Sequence, residues 1–171
     1  MYLSGISKTE TTSTLREIPN GNAGTLETLK IMRKLVKDGK TSLTVRTLAA
    51  SLVNGARQKD YAEEARIIQR YVRDHIRYVR DIRDVETLHT ADKILEFGYG
   101  DCDDKSVLVA AMLEAIGHKT RFVAMGINGS DFCHVYVETK LGNSWVGVET
   151  TEPVELGWAP PKQTSRMVIN N

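Results

Sequence analysis

Apolar residues recur at spacings of three and four between residues 25 and 97, which is the period of an amphipathic helix. The pattern predicts helices over residues 25–39, 43–53 and 90–97. A longer helix is predicted from an N-cap at Asp60, with an apolar face that continues as far as Val79. This part of the chain is therefore expected to form a helical layer.

A glycine-marked turn at residues 98–100 leads into the cysteine Cys102, and a strongly apolar run covers residues 107–116. This order predicts a buried helix with Cys102 in its first turn, where the helix dipole favours a thiolate. Asp101, Asp103 and Asp104 oppose that effect, because like charges disfavour a neighbouring thiolate.

The period changes to two after this helix, which is typical of strands. Strands are predicted over residues 121–126, 132–138 and 145–149, and we expect them to form an antiparallel meander packed against the Cys102 helix. Residues 167–169 are a possible short edge strand.

The chain has 171 residues, which favours a single domain. We predict that domain over residues 25–171, with a helical part (25–98), the cysteine helix and sheet (99–156) and a C-terminal tail (157–171). Residues 1–24 are polar and rich in Ser, Thr, Gly and Asn, and are predicted to be a flexible or partner-binding arm.

Composition excludes several classes of protein. A net charge of +1 gives no strong electrostatic field that would attract nucleic acid or a membrane surface, which disfavours proteins that bind either one through charge alone. Two cysteines are too few for a disulfide framework. No signal peptide or membrane span is recognisable, so synthesis in the cytoplasm is expected. A row of arginines from Arg66 to Arg80 is interpreted as a solvated or ion-paired helix face, which makes nucleic-acid binding the weakest hypothesis.

Candidate chemistry centres on three residue types that together can perform nucleophilic catalysis. Cys102 is the candidate nucleophile, His134 the base and Glu149 the carboxylate that orients the imidazole. Strand alternation places His134 on the face opposite Val135, so the triad requires that this face meet the start of the helix. From composition alone, a cysteine opening a helix is more often a small buried residue than a nucleophile.

The same turn offers groups that could support catalysis. The backbone N–H of Cys102 is the first candidate oxyanion donor, with support from Tyr99, through its hydroxyl group, and from the neighbouring Asp103. Asp103 also has a plain structural interpretation in the first helical turn. Cys133 is predicted to pack in the core. No metal-ligand spacing is visible, so no metal and no cofactor are predicted.

The motifs taken together resemble the transglutaminase-like superfamily over roughly residues 60–150. The resemblance is carried by Gly-Asp-Cys-Asp-Asp at 100–104 with its apolar helix, by His-Val-Tyr-Val-Glu at 134–138, and by Trp-Val-Gly-Val-Glu-Thr at 145–150. It implies an α+β fold with a papain-like core, in which a cysteine-bearing helix packs on an antiparallel sheet, beneath the N-terminal helical layer. It also implies that Cys102, His134 and Glu149 are the triad, although the family usually has aspartate at the position of Glu149.

The implied activity is hydrolysis of a peptide or isopeptide bond, or of an amide, through a thioester, with a peptide or protein as substrate. The helices of residues 25–88 and the tail around residues 157–160 also look like small stand-alone members encoded by tailed phages. That likeness predicts a virion-associated protein whose residues 1–24 contact other virion proteins. The alternative hypothesis is a catalytically silent structural or adaptor protein of a phage particle that keeps the fold.

Overall fold

The computed structural model describes residue 14 and residues 17–81, 87–128 and 131–171. The helices are α1 (Gly21–Gly39), α2 (Leu43–Val53), α3 (Tyr61–His75), α4 (Ala91–Phe97) and α5 (Cys102–Ala115). The strands are β1 (Arg77–Tyr78), β2 (Tyr99–Gly100), β3 (Thr120–Ile127), β4 (His134–Leu141), β5 (Ser144–Val148) and β6 (Gln163–Asn170). Among the helices of the described residues, none has the length and apolar character needed to cross a lipid bilayer.

Helix α5 is the centre of the fold. Its residues from Asp104 to Leu113 are all buried, so the helix is enclosed on every side. It contacts α1, α2, α3 and α4 as well as strands β3 and β4. A helix that is apolar on all faces is stable only in such a position, because burial removes each apolar face from water. The predicted cysteine helix is thereby confirmed.

One antiparallel sheet packs against α5, with the strand order β5-β4-β3-β6. The inward side chains Phe122, Ala124, Val135 and Val137 belong to the same core as α5. The predicted meander and the α+β, papain-like class are confirmed. The possible edge strand is the longer β6, which pairs with β3 on the side away from β4.

The long helix predicted to reach Val79 ends earlier, at His75, so that prediction was wrong over its last turn. Ile76 is extended, with φ −103° and ψ 109°. The next residues pair in parallel with the segment before Cys102: Arg77 N–H donates to Gly98 O at 2.9 Å, and Val79 N–H donates to Gly100 O at 2.9 Å. Non-local backbone hydrogen bonds therefore override a local helical period.

The amino-terminal helix begins at Gly21, four residues earlier than predicted, and Gly24 is buried. Most of the predicted arm lies outside the described residues, so its role stays a prediction, as do the domain boundaries. The arginine row forms ion pairs. Arg70 Nη2 lies 2.9 Å from Glu155 Oε2, and Arg73 Nε lies 2.7 Å from Asp74 Oδ1. Pairing of this kind agrees with the interpretation of the row as a surface face.

Candidate active site

Cys102 is placed by a tightly fitted turn between β2 and α5. Asp101 is the N-cap of α5, and its Oδ1 accepts hydrogen bonds from the N–H groups of Asp103 (3.0 Å) and Asp104 (3.2 Å). Asp104 in turn accepts from the backbone N–H of His89 at 2.9 Å, and its other oxygen lies 3.0 Å from His89 Nδ1. The cap fixes the first helical turn, and with it the start of the cysteine side chain.

The thiol lies in a setting that favours its neutral form. Burial raises the pKa of Cys102, and the carboxylates of Asp103 and Asp101 raise it further. The thiol donates to Asp103 Oδ1 at 3.5 Å. A hydrogen bond from the backbone N–H of Val135 acts in the opposite direction. Burial and the two carboxylates therefore outweigh the helix dipole, a balance between opposing effects that the sequence left open.

His134, which is partly exposed, forms a pair with the buried Glu149. His134 Nε2 lies 2.7 Å from Glu149 Oε2, and Glu149 is only 1% exposed. The second oxygen, Oε1, accepts from the N–H of Thr150 (2.8 Å) and from the N–H (2.6 Å) and hydroxyl (2.7 Å) of Thr151. Burial acts to raise the pKa of Glu149, but the hydrogen bonds from His134 and Thr151 bring it below its usual value. The carboxylate is thus held ionised against the imidazole.

A cleft of about 680 Å³ brings the predicted residues together. Its lining includes Cys102, His134 and Asp103, while Glu149 lies behind His134. The start of α5 lies beside the start of β4, since Ser106 Oγ donates to the backbone oxygen of Val135 at 3.3 Å and Val135 also lines the cleft. Cys102 and His134 thus line one cleft, and their joint action with Glu149 stays a prediction.

The two tyrosines near the turn lie in different surroundings. Tyr99 stacks on Phe97, with ring centroids 5.5 Å apart, and its predicted oxyanion role stays a prediction. Tyr78 lines the cleft, and its pKa is raised by burial and by the nearby Cys102. Sequence reasoning missed Tyr78 because it placed residues 77–79 on the third helix. The parallel pairing of Tyr78 with Gly100 carried no local sequence signal.

Cys133 also lines the cleft and is exposed, which contradicts its predicted packing in the core. It directly precedes β4, so it lies before the strand alternation begins.

Three candidate metal ligands, from Asp101, Cys102 and Asp103, lie within 4.8 Å of one another. Calcium requires six to eight oxygen ligands. Two carboxylates, one of them already used as a helix cap, and one thiol do not supply that set. We therefore treat this group as the electrostatic surroundings of the thiol.

Comparison with known proteins agrees with this architecture. The sequence model of the transglutaminase-like superfamily matches residues 46–150. Among solved structures, a candidate protease of Parabacteroides distasonis aligns with a TM-score of 0.62 and 17% identity, covering 84% of this chain and 28% of that protein. A candidate cysteine protease of Cytophaga hutchinsonii aligns with a TM-score of 0.54 and 16% identity, covering 75% of this chain and 46% of that protein.

Calcium-bound LapG of Legionella pneumophila aligns with a TM-score of 0.57 and 15% identity, covering 80% of each chain. At these identities the neighbours establish a shared fold alone. The chain spans less than half of the Parabacteroides and Cytophaga proteins. None of the curated protein sequences compared with the chain matches it.

The superfamily match extends over more than half of the chain and includes the cysteine, histidine and carboxylate positions. The chain therefore belongs to the transglutaminase-like superfamily.

Proposed function

We propose that the protein is a cysteine-dependent hydrolase that cleaves a peptide or isopeptide bond through a thioester intermediate. The observation that carries this proposal is the His134–Glu149 pair, 2.7 Å apart, at a cleft that Cys102 also lines. The family membership and the protease-like names of two structural neighbours support the same class of substrate.

The hydrogen bond to Glu149 supports one proton path. With Nε2–H donating to Glu149, Nδ1 of His134 is the nitrogen that can take the proton of Cys102. The sulfur then attacks the carbonyl carbon, the C–N bond breaks, and Nδ1–H gives its proton to the leaving amine. A water molecule, deprotonated by His134, hydrolyses the thioester and regenerates the thiol.

The raised pKa of Cys102 determines how the thiol is activated. A buried thiol beside Asp101 and Asp103 is neutral at rest, so His134 acts as a general base when substrate is present. For the oxyanion, we propose the backbone N–H of Cys102 and the hydroxyl of Tyr78, which lines the cleft. The negative charge of Asp103 raises the pKa of the Cys102 thiol and so favours its protonated form before substrate binds.

Hydrolysis can be tested with a peptide library prepared from a bacterial proteome, incubated in water labelled with heavy oxygen. We expect new carboxyl termini that carry one labelled oxygen, and their loss in Cys102→Ala. An unlabelled product joined to an amine would mean transfer instead of hydrolysis. Cleavage that persists in Cys102→Ala, or no cleavage by the wild type, would contradict the proposal.

A second candidate function is favoured by one observation, the raised pKa of the thiol between two carboxylates. It is a catalytically silent structural or adaptor protein of a phage particle, in which residues 1–24 contact other virion proteins. Residues 1–16 can be deleted without shortening α1, which begins at Gly21. In this function, particle assembly survives Cys102→Ala and fails on the deletion. In the enzyme proposal, Cys102→Ala abolishes cleavage of the peptide library.

A further inference from the structure

The segment that carries Glu149 begins where the sheet ends. Val148 is the last residue of β5, and its pairing with β4 closes the ladder. Glu149 follows it, outside the strand. The hydrogen bonds that hold its Oε1 come from Thr150 and Thr151, the next two residues of the same segment. Such local bonds shape the segment but do not fix its position relative to His134.

Helix α3 supplies contacts that tie this segment to the rest of the fold. Gln69 Nε2 donates to the backbone oxygen of Glu149 at 2.8 Å and to that of Val154 at 3.3 Å. Arg73 lies one turn further along α3, on the same face, and its Nη1 donates to the oxygen of Val154 at 2.9 Å. Both ends of residues 149–154 are thus bound to one helix.

The orientation of the Gln69 amide follows from its partners. Both are carbonyl oxygens, which only accept hydrogen bonds, so the N–H groups must point at them. Gln69 is fully buried, and its Oε1 has no partner among the residues that the structure describes. A buried oxygen without a partner costs stability, and an apolar side chain of similar length would avoid that cost. What glutamine adds at this position is its donors.

Helix α3 is itself fixed at both of its other contacts. Three of its apolar side chains belong to the main core: Ala65, Ile68 and Val72. Lys105 of α5 donates to the backbone oxygens of Ile76 (2.7 Å) and Arg73 (3.3 Å) at its end. The same helix therefore contacts both the helix that begins at Cys102 and the segment that carries Glu149.

We propose that Gln69 is a positioning residue, whose two side-chain hydrogen bonds hold the segment after β5 so that the carboxylate of Glu149 stays against His134. This rests on the proposed function in one respect, the assignment of His134 as the base. It also gives the polar face of α3 a part in the site, because Arg73 supports the same segment.

The first test observes the pair of His134 and Glu149 directly and requires no substrate. The ¹⁵N resonance of His134 Nε2 is recorded through the carbon-bound ring protons at one fixed pH, and Glu149→Gln gives its position without the carboxylate charge. Gln69→Met should move the resonance toward that position, because the segment is released from α3. Arg70→Ala, which breaks an exposed ion pair between the same helix and Glu155, is the matched control and should leave it in place.

The second readout is the rate at which p-nitrophenyl acetate acetylates Cys102. Gln69→Met should lower this rate by about 10- to 100-fold, since a misplacement of about 1 Å can cost that much. The exposed Cys133 should react at its wild-type rate in the same sample, and Arg70→Ala should leave both rates unchanged.

An unmoved Nε2 resonance in Gln69→Met would overturn the proposal. A thermal midpoint that falls while the resonance and the Cys102 rate stay in place would overturn it too, because Gln69 would then have a structural role only. If Gln69→Met does not fold, Gln69→Asn takes its place with the same expected results, since its amide is short by about one bond length. A wild type that cleaves no peptide would refute the proposed hydrolase, and the NMR comparison would still decide the role of Gln69.

Discussion

Shortening Glu149 to aspartate tests whether this carboxylate acts through His134. Aspartate is the usual residue at this position in the family, so resemblance alone would expect Glu149→Asp to preserve or improve function. The structure leads to the opposite expectation. Glu149 Oε2 already lies 2.7 Å from His134 Nε2, and three hydrogen bonds hold Oε1.

The magnitude follows from the geometry. Removing one methylene draws the carboxylate back by about 1.5 Å, which takes the contact to about 4 Å and beyond hydrogen-bond range. The backbone is not free to follow, because Gln69 Nε2 donates to the carbonyl oxygen of Glu149 at 2.8 Å. A hydrogen bond to a charged group contributes about 1.5–3 kcal/mol. At about 1.4 kcal/mol per tenfold change, we expect a loss of about 10- to 100-fold in rate.

The assay is acetylation of Cys102 by p-nitrophenyl acetate, followed by p-nitrophenolate absorbance and assigned to each cysteine by peptide mapping. Exposed Cys133 is the internal reference in every sample. Glu152→Asp, an exposed residue of the same loop, is the matched control and should react as the wild type does. A wild-type rate for Cys102 in Glu149→Asp would refute the assignment of Glu149 to His134.

Three further predictions concern the turn, the thiol and acid stability. A Cβ at Gly100 would lie 2.5 Å from Asp104 Cβ, so Gly100→Ala should lower the free energy of unfolding by about 1–3 kcal/mol. Gly55→Ala is the control, because the space around its Cβ is open. Thermal unfolding measures both variants, and equal midpoints would contradict the packing at Gly100. Asp103→Asn removes a charge that raises the pKa of Cys102, so the pH profile of its acetylation should move to lower pH, and an unmoved profile would exclude Asp103 as a cause. The lowered pKa of Glu149 contributes stability above the unfolded value of about 4.3, and that stability is lost as pH falls through the folded value. The stability advantage of the wild type over Glu149→Gln, measured by urea unfolding, should therefore shrink on acidification below about pH 5, and an advantage independent of pH would contradict the pairing.

The sequence predicted well the elements whose signals are local. The apolar run after Cys102 has no polar face, so a buried helix was the only way to remove it from water. The three strands followed from their period of two. That Cys102 and His134 line one cleft was implied by the resemblance, because strand alternation alone left the position of His134 relative to the helix undetermined.

The features that the sequence did not predict depend on contacts between distant segments. The end of α3 and the position of Tyr78 follow from pairing with residues 98–100. The raised pKa of Cys102 depends on burial that only the assembled core creates. Lys105 reads in sequence as one more charged residue in a helical turn, and its burial follows from the hydrogen bonds of its Nζ to the backbone oxygens of Arg73 and Ile76 at the end of α3.

The most direct test of the central claim is which cysteine is acylated, and whether His134 is required. The reaction with p-nitrophenyl acetate is mapped in the wild type, in His134→Ala and in the matched control His75→Ala, whose imidazole is exposed and stacks on Tyr71. We predict that the wild type and His75→Ala are acetylated at Cys102 and turn over, and that His134→Ala loses this reaction while Cys133 still reacts. Acetylation of Cys133 alone in the wild type, or equal reaction of Cys102 in His134→Ala, would contradict the account.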